Sequence, residues 1–182
     1  MNKALEKILL IRIQQGKDPK AFEHLYDKMA DPIYRFIFFK VSNVEVAQDL
    51  TSDVFLKLWE NLVHKDAQVK FLKAYIYIIA RSAVIDHYRS AQSRKTTDLS
   101  ETAELEAENL SEKLELKLEA ESVMKLIEHL KDSYQEILIL RHVNQLSLKE
   151  IAHVIEKTPV ATRVQLHRAQ QALKREYEKA SK

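Results

Sequence analysis

Residues 71–90 read FLKAYIYIIARSAVIDHYRS, and the fold turns on what this stretch becomes. Its centre, AYIYIIA, is an unbroken apolar run of seven residues, while Lys73, Arg81, His87 and Arg89 stand on either side of or just beyond it. Such a run falls far short of the roughly 20 apolar residues that span a bilayer. Sorted at helical steps, Leu72, Ile76, Ile79 and Ala83 share one stripe, which predicts a core face. Lys73, Tyr77, Arg81 and Tyr88 lie off that stripe and are expected at the surface, whereas Tyr75 is expected to pack.

The rest of the chain supports a helical setting. One glycine and three prolines in 182 residues leave little material for hairpins and tight turns, so the composition predicts an all-α protein. An apolar content of 46% is ample for buried cores. The absence of cysteine excludes disulfides, thiolate metal sites and thiol nucleophiles, and fits a reducing compartment. The N-terminal stretch MNKALEKILLIRIQQGKD mixes charge with apolar residues and lacks the features of a secretory signal. A soluble cytoplasmic protein without membrane insertion is expected. The seven histidines show no close ligand spacing, and no nucleophile is paired with a base. No metal, cofactor or catalytic activity is therefore expected.

The net charge of +2 conceals a polarised layout. Residues 98–121, DLSETAELEAENLSEKLELKLEAE, carry nine acids and two lysines, a net of −7. Residues 1–97 carry sixteen cations and eleven acids (+5), and residues 122–182 eleven and seven (+4). Two basic blocks joined by an acidic connector imply two modules that both meet a polyanion. The expected division is a first domain at 1–96, a flexible acidic linker at 97–120 and a second domain at 121–182. Leu105 to Leu118 regain some helical spacing amid the glutamates.

In the first block, Phe22, Leu25, Tyr26, Met29, Ile33 and Phe36 or Ile37 predict an amphipathic helix, with a bend near Pro32. Ser42 or Asn43 is the expected cap of the next helix, where Val46, Leu50, Val54 and Leu58 form an i, i+4 stripe. The second block reads as three or four helices: SVMKLIEHL, DSYQEILILRHV, SLKEIAHVIE and TPVATRVQLHRAQQALKREYEK. Asp132, Ser147 and Thr158 are the expected N-caps, Ser147 with Glu150 in a capping box and Pro159 in the favoured first turn.

The last two of these helices have the layout of a helix-turn-helix. Leu148, Ile151, Ala152 and Ile155 point inward, a break falls at Glu156–Thr158, and Arg163, Gln165, His167 and Arg168 follow. In such a motif the second helix enters the major groove, its N-terminal polar residues near base edges and nearby cations on phosphates.

Five stretches carry a resemblance to a known family: AFEHLY, AQDLTSDVFLKLWE, FLKAYIYIIARSAVIDHYR, SYQEILILRHVNQLSLKEIA and VQLHRAQQAL. In this order, with an acidic linker between, the chain resembles the extracytoplasmic-function (ECF) sigma factors, the promoter-specificity subunits of bacterial RNA polymerase. Roughly residues 20–96 resemble sigma region two and 121–178 sigma region four. The resemblance implies no enzymatic activity but promoter recognition, melting and transcription initiation within the polymerase. Its implied partners are core RNA polymerase (the clamp of the largest catalytic-side subunit and the flap), promoter DNA and an anti-sigma factor.

By the same resemblance, DLTSDVFLKLWE binds the clamp helices through Asp49, Asp53, Phe55, Leu56, Trp59 and Glu60. The acids suit basic partners and the large apolar groups suit interface anchors, although Phe55 and Trp59 fit a core role equally well. The melting surface falls on residues 64–95, with seven cations, two acids and the interleaved rings of Phe71, Tyr75, Tyr77 and Tyr88. Cations track the phosphates of a single strand while rings or pockets receive unstacked bases. The expected minus-ten contacts are Lys65, Lys70, Lys73, Tyr77, Arg81, Tyr88 and Arg89. The expected minus-thirty-five contacts are Arg163, Gln165, His167 and Arg168, with Thr158 at the helix start and Lys149 and Lys157 on phosphates. The linker in this family runs through the polymerase interior near the RNA path.

The chain departs from the family pattern at four positions. Relatives often carry Arg and Asn where Ile78 and Ser82 stand, Gly where Glu156 stands and Val where Thr162 stands. Contacts made by the family's Arg and Asn do not carry over. Two other classes compete with the sigma-factor reading: a stand-alone helix-turn-helix activator, and a helical adaptor or decoy that binds no DNA. A basic, aromatic melting helix beside an acidic clamp-binding helix favours the sigma factor.

Overall fold

The computed structural model describes residues 3–65, 67–94 and 125–180. The expected linker at 97–120 lies outside the described residues, as do Asp66, Lys95 and the side chain of Arg94. Among the described residues all regular structure is helical. The chain forms two compact units.

The first unit contains α1 (Lys3–Gly16), α2 (Pro19–Val41), α3 (Val44–Val63) and α4 (Leu72–Arg94). Asp18 starts α2: its Oδ1 accepts from the N–H groups of Lys20 (3.0 Å) and Ala21 (3.3 Å), and Pro19 opens the first turn. Arg12 of α1 donates to the other carboxylate oxygen at 2.6 Å and holds the Asp18 carboxyl below its usual range. The helix continues through Pro32 to Val41. There Ser42 takes a left-handed conformation (φ 50°) and donates its N–H to Phe38 O, satisfying an end carbonyl. Asn43 then caps α3 by accepting from Val46 N–H at 2.9 Å. The two residues proposed as alternative caps thus divide the work, one ending a helix and the other beginning the next.

Each of the four helices packs on the other three. Leu9 and Ile13 of α1 and Leu25, Met29, Ile33, Phe36 and Ile37 of α2 are buried. The buried stripe of α3 is Ala47, Thr51, Val54, Phe55, Leu58 and Leu62. It is rotated from the expected one: Val46 and Leu50 are only half-buried, and Thr51 goes inside because its hydroxyl donates to Ala47 O at 2.6 Å. On α4 the buried arc is wider than one stripe, taking in Leu72, Ala74, Ile76, Tyr77, Ile79, Ala80 and Val84. A helix covered by three neighbours buries more of its circumference than the ordinary amphipathic face. Ala83, expected in the core, is half-buried.

The second unit contains α5 (Asp132–Leu138), a π-helical turn at Ile139–Val143, α6 (Leu148–Val154) as far as Ala152, and α7 (Pro159–Ala180), preceded by a helical turn at 125–128. Lys131, one residue before the expected Asp132, holds the N-cap position of α5 and makes no side-chain cap bond. Ile137, Leu138, Ile139 and Leu140 are all buried, and four consecutive buried positions surround the helix axis. The chain widens there to a π turn, with Asn144 N–H donating to Ile139 O at 3.0 Å.

The capping box of α6 forms as expected. Ser147 N–H donates to Glu150 Oε2 at 2.7 Å and Glu150 N–H to Ser147 Oγ at 3.3 Å. The turn after α6 places Glu156 in the left-handed region (φ 54°), and Lys157 N–H donates back to Ala152 O at 2.9 Å. That pairing is a Schellman closure, whose left-handed position glycine fills most easily. Thr158 then caps α7, accepting from Ala161 N–H at 3.2 Å.

Candidate protein and nucleic-acid interfaces

The α3 helix presents an outward stripe of Asp49, Asp53, Leu56 and Glu60, all exposed and spaced at helical steps. Leu56 is 61% exposed, a large apolar side chain set among acids. A shallow groove runs alongside, lined by Asp53, Leu56 and Glu60 of α3 and by Ile79, Ala83 and His87 of α4. Acids around an apolar knob suit a partner that is basic and apolar in turn. Phe55 does not belong to this stripe. It is 3% exposed, its ring 4.7 Å from that of Tyr26 and 6.4 Å from that of Phe22. Half-buried Trp59 lies edge-on to Phe22 at 5.0 Å. Both rings join α3 to α2, and Phe55 in particular is a core residue rather than an exposed anchor.

On α4 and the segment before it, Lys65, Lys70, Tyr88 and Arg89 are exposed, while Lys73 and Arg81 are half-buried. Lys70 Nζ sits 5.7 Å from the Phe71 ring centroid. Tyr88 is 50% exposed, with its hydroxyl donating to Lys40 O at the end of α2. Arg89 lies 3.9 Å from Asp86 in an exposed pair.

Tyr77 is a correction. Expected to face DNA, it is fully buried and meets Phe36 edge-on at 5.3 Å. The wide buried arc of α4 takes it inside, so no base can stack on it without unfolding the unit. Tyr75 packs as expected and accepts a hydrogen bond from Asn61 Nδ2 at 3.0 Å. Ile78, apolar where relatives often carry a cation, is half-buried.

On α7, Thr162, Leu166 and Ala169 form the buried stripe, and Arg163, His167 and Arg168 are exposed. Thr162 is accommodated inside because its hydroxyl donates to Thr158 O at 2.9 Å. Gln165 is half-buried: its amide donates to Ser133 O of α5 at 2.8 Å and its carbonyl accepts from Lys157 Nζ at 2.5 Å. Its side chain, expected among the minus-thirty-five contacts, bridges α5 to the turn. Lys149 is exposed on α6. His142, in the π turn, has its Nε2 3.3 Å from Gln170 Nε2 of α7. Burial, and then the Arg141 charge, holds His142 below its ordinary pKa, which favours the neutral ring at neutral pH.

Two contributors were not legible as such. Glu6 of α1 accepts the backbone N–H of Lys73 at 2.7 Å, at the start of α4, and Gln14 Nε2 donates to Ala67 O at 2.8 Å. The α1 helix therefore braces the connection from α3 to α4 that carries the cations. Its mixed charged and apolar sequence does not show this role, although Leu9 and Ile13 stand at helical spacing.

A helical unit with an acidic stripe and a cationic helix, together with a second unit ending in a helix-turn-helix, defines the class as a two-module transcription protein. Residues 25–94 match the Sigma-70 region 2 family and residues 120–173 the Sigma-70, region 4 family. The chain is 30% identical over 169 residues to the ECF RNA polymerase sigma factor BldN of Streptomyces coelicolor, covering 91% of this chain and 64% of BldN. It is 28% identical over 185 residues to SigW of Bacillus subtilis, covering 94% and 98% respectively. Against SigD of Mycobacterium bovis it is 31% identical over 167 residues, covering 87% and 78%. The fold is similar to that of CnrH in complex with the cytosolic domain of CnrY, with a TM-score of 0.69 at 18% identity over 96% of this chain and 97% of that one. It is also similar to the sigma factor RpoE bound to the anti-sigma factor NepR from Bartonella quintana, with a TM-score of 0.66 at 19% identity over 87% and 98%. The chain belongs to the ECF sigma factors of bacterial RNA polymerase, and its function is that of a sigma factor in transcription initiation.

Proposed function

We propose that residues 1–96 bind core RNA polymerase and open the promoter, that 97–120 link the modules, and that 121–182 read the upstream duplex. The α3 stripe of Asp49, Asp53, Leu56 and Glu60 is the proposed contact for the polymerase clamp, with Trp59 at its edge. Lys65, Lys70, Lys73, Arg81, Tyr88 and Arg89 are the proposed minus-ten contacts, holding the phosphates and receiving a splayed base. On the second unit Arg163, His167 and Arg168 are the proposed minus-thirty-five contacts, with Lys149, Lys157 and the start of α7 at Thr158 near phosphates and the flap as a second polymerase contact. The catalysis belongs to the polymerase, so this chain is proposed to contribute recognition and melting with no chemistry of its own.

The observation that carries the reading is the pairing of two opposite surfaces on one four-helix unit. Exposed acids around Leu56 stand on α3, and exposed or half-exposed cations stand on α4 and the segment before it. A stand-alone activator needs neither. The place of action is proposed to be the cytoplasm, where polymerase and promoter meet; no described helix is long and apolar enough to cross a membrane. An anti-sigma factor is a further proposed partner, in keeping with the complex of RpoE with the anti-sigma factor NepR.

The test is run-off transcription with core polymerase on genomic fragments. Adding this protein is expected to yield promoter-specific transcripts that core enzyme alone does not make. If no fragment gives such a transcript, the reading fails.

A further inference from the structure

The exposed face of α7 is not uniformly polar. Val160 is 71% exposed and Val164 45% exposed, in the first two turns of the helix. At roughly 100° per residue, Val160, Val164, His167 and Gln171 lie opposite the buried Thr162, Leu166 and Ala169. Arg163 and Arg168 then fall on the two flanks of that face. The valines thus stand at the centre of the surface most remote from the core, between cations that can hold the two strands. Val164 also lines a shallow groove with Ala161, Thr158, Lys157 and Arg168, so it borders a space rather than filling one.

Two branched apolar side chains at this point gain nothing from water, and neither belongs to the buried core of the unit. In a major groove they meet one apolar feature, the C5-methyl group of thymine, which differs from every other group on the base edges. We propose that Val160 and Val164 are specificity residues that read thymine methyl groups in the minus-thirty-five duplex. The inference rests on the proposal that α7 is the duplex-reading helix. It shifts part of base selection from the polar side chains to the apolar centre of the face. Gln165, engaged by Ser133 and Lys157, leaves that selection to its neighbours.

The experiment uses the full chain assembled with core polymerase and a promoter duplex selected from a randomised upstream pool. Each thymine of the selected minus-thirty-five segment is replaced singly by deoxyuridine, which removes only the methyl group. At one or two positions the wild-type complex is expected to lose about fourfold in affinity, the effect of one buried methyl-sized group. The Val160→Ala, Val164→Ala double variant, altered only at exposed positions, is expected to bind thymine and deoxyuridine duplexes equally.

A selected segment without thymine on either strand, or one in which every replacement is tolerated, overturns the methyl contact while leaving duplex reading intact. Retained sensitivity in the double variant overturns it too. So does a loss of core-polymerase affinity without thymine dependence, which would assign the valines to a protein contact. If no upstream sequence is preferred at all, the duplex reading itself fails and takes this inference with it.

Discussion

Phe55 and Leu56 are neighbours in sequence, and their environments predict opposite consequences of the same truncation. Phe55 is 3% exposed and holds edge contacts to Tyr26 and Phe22. Replacing it with Ala removes a buried ring and leaves a cavity between α2 and α3, a change that costs about 3–5 kcal/mol. At roughly 4–8 °C per kcal/mol for a domain of this size, the first unit is expected to melt at least 12 °C lower. Leu56→Ala removes three carbons, each contributing about 0.8 kcal/mol when fully buried. With 61% of Leu56 open to solvent in the free chain, its share at an interface is ~1.5 kcal/mol, or about tenfold in Kd. Thermal unfolding by circular dichroism and a titration against core polymerase separate the two effects. Leu56→Ala should leave the melt within a degree or two and weaken polymerase binding. The reasoning is refuted if Leu56→Ala binds core polymerase as tightly as the wild type, or if Phe55→Ala melts normally while losing that binding.

Charge reversal of the α3 stripe, Asp49→Arg with Asp53→Arg, should lower core-polymerase affinity while duplex binding by the second unit stays unchanged; unchanged core affinity would sink the clamp assignment. Arg163→Ala with Arg168→Ala should weaken promoter-duplex binding, and the slope of log K against log salt should flatten by about 2 if each arginine holds one phosphate. Glu156→Gly should stabilise the second unit by about 0.5–1 kcal/mol: the left-handed backbone costs a non-glycine residue roughly 1–2 kcal/mol, and the greater freedom of unfolded glycine offsets part of the relief. Denaturant titration monitored in the second unit checks the sign. His142 has its pKa lowered below the ordinary 6.5 by burial and Arg141, so the folded state binds its proton less readily than the unfolded chain. Its contribution to stability is present above pH 6.5 and is lost as pH falls through the depressed value. His142→Gln should therefore show a smaller drop in melting temperature between pH 7.5 and 5 than the wild type does.

Periodicity and caps made much of the local structure legible. Of the predicted α2 stripe, Leu25, Met29, Ile33, Phe36 and Ile37 are buried, because a helix on a packed core must repeat its apolar residues every three or four positions, while Phe22 is half-buried and Tyr26 exposed at the edge of that face. Asn43, Thr158 and the Ser147–Glu150 pair cap the helices they precede, since their short polar side chains satisfy end groups that no helix can satisfy itself. Other positions are decided by packing from outside the helix. Tyr77 looked like a surface ring when α4 was sorted into one stripe, and three covering helices made it core. Gln165, expected among the minus-thirty-five contacts, also has partners in Ser133 of α5 and Lys157. Neither partner can be inferred from residues three or four positions away.

Residue types and their order, with one glycine and helical spacing throughout, determined that this protein is all-helical, and its family motifs determined that it is a sigma factor. These properties are local or additive, and the chain carries them before it folds. Tertiary structure decided which members of each motif are available to a partner. In DLTSDVFLKLWE it turned Phe55 inward and left Leu56 among the acids; in FLKAYIYIIARSAVIDHYRS it took Tyr77 and left Tyr88 at the surface. Exposure depends on how many neighbouring helices cover an arc, and that number exists only once the helices have packed.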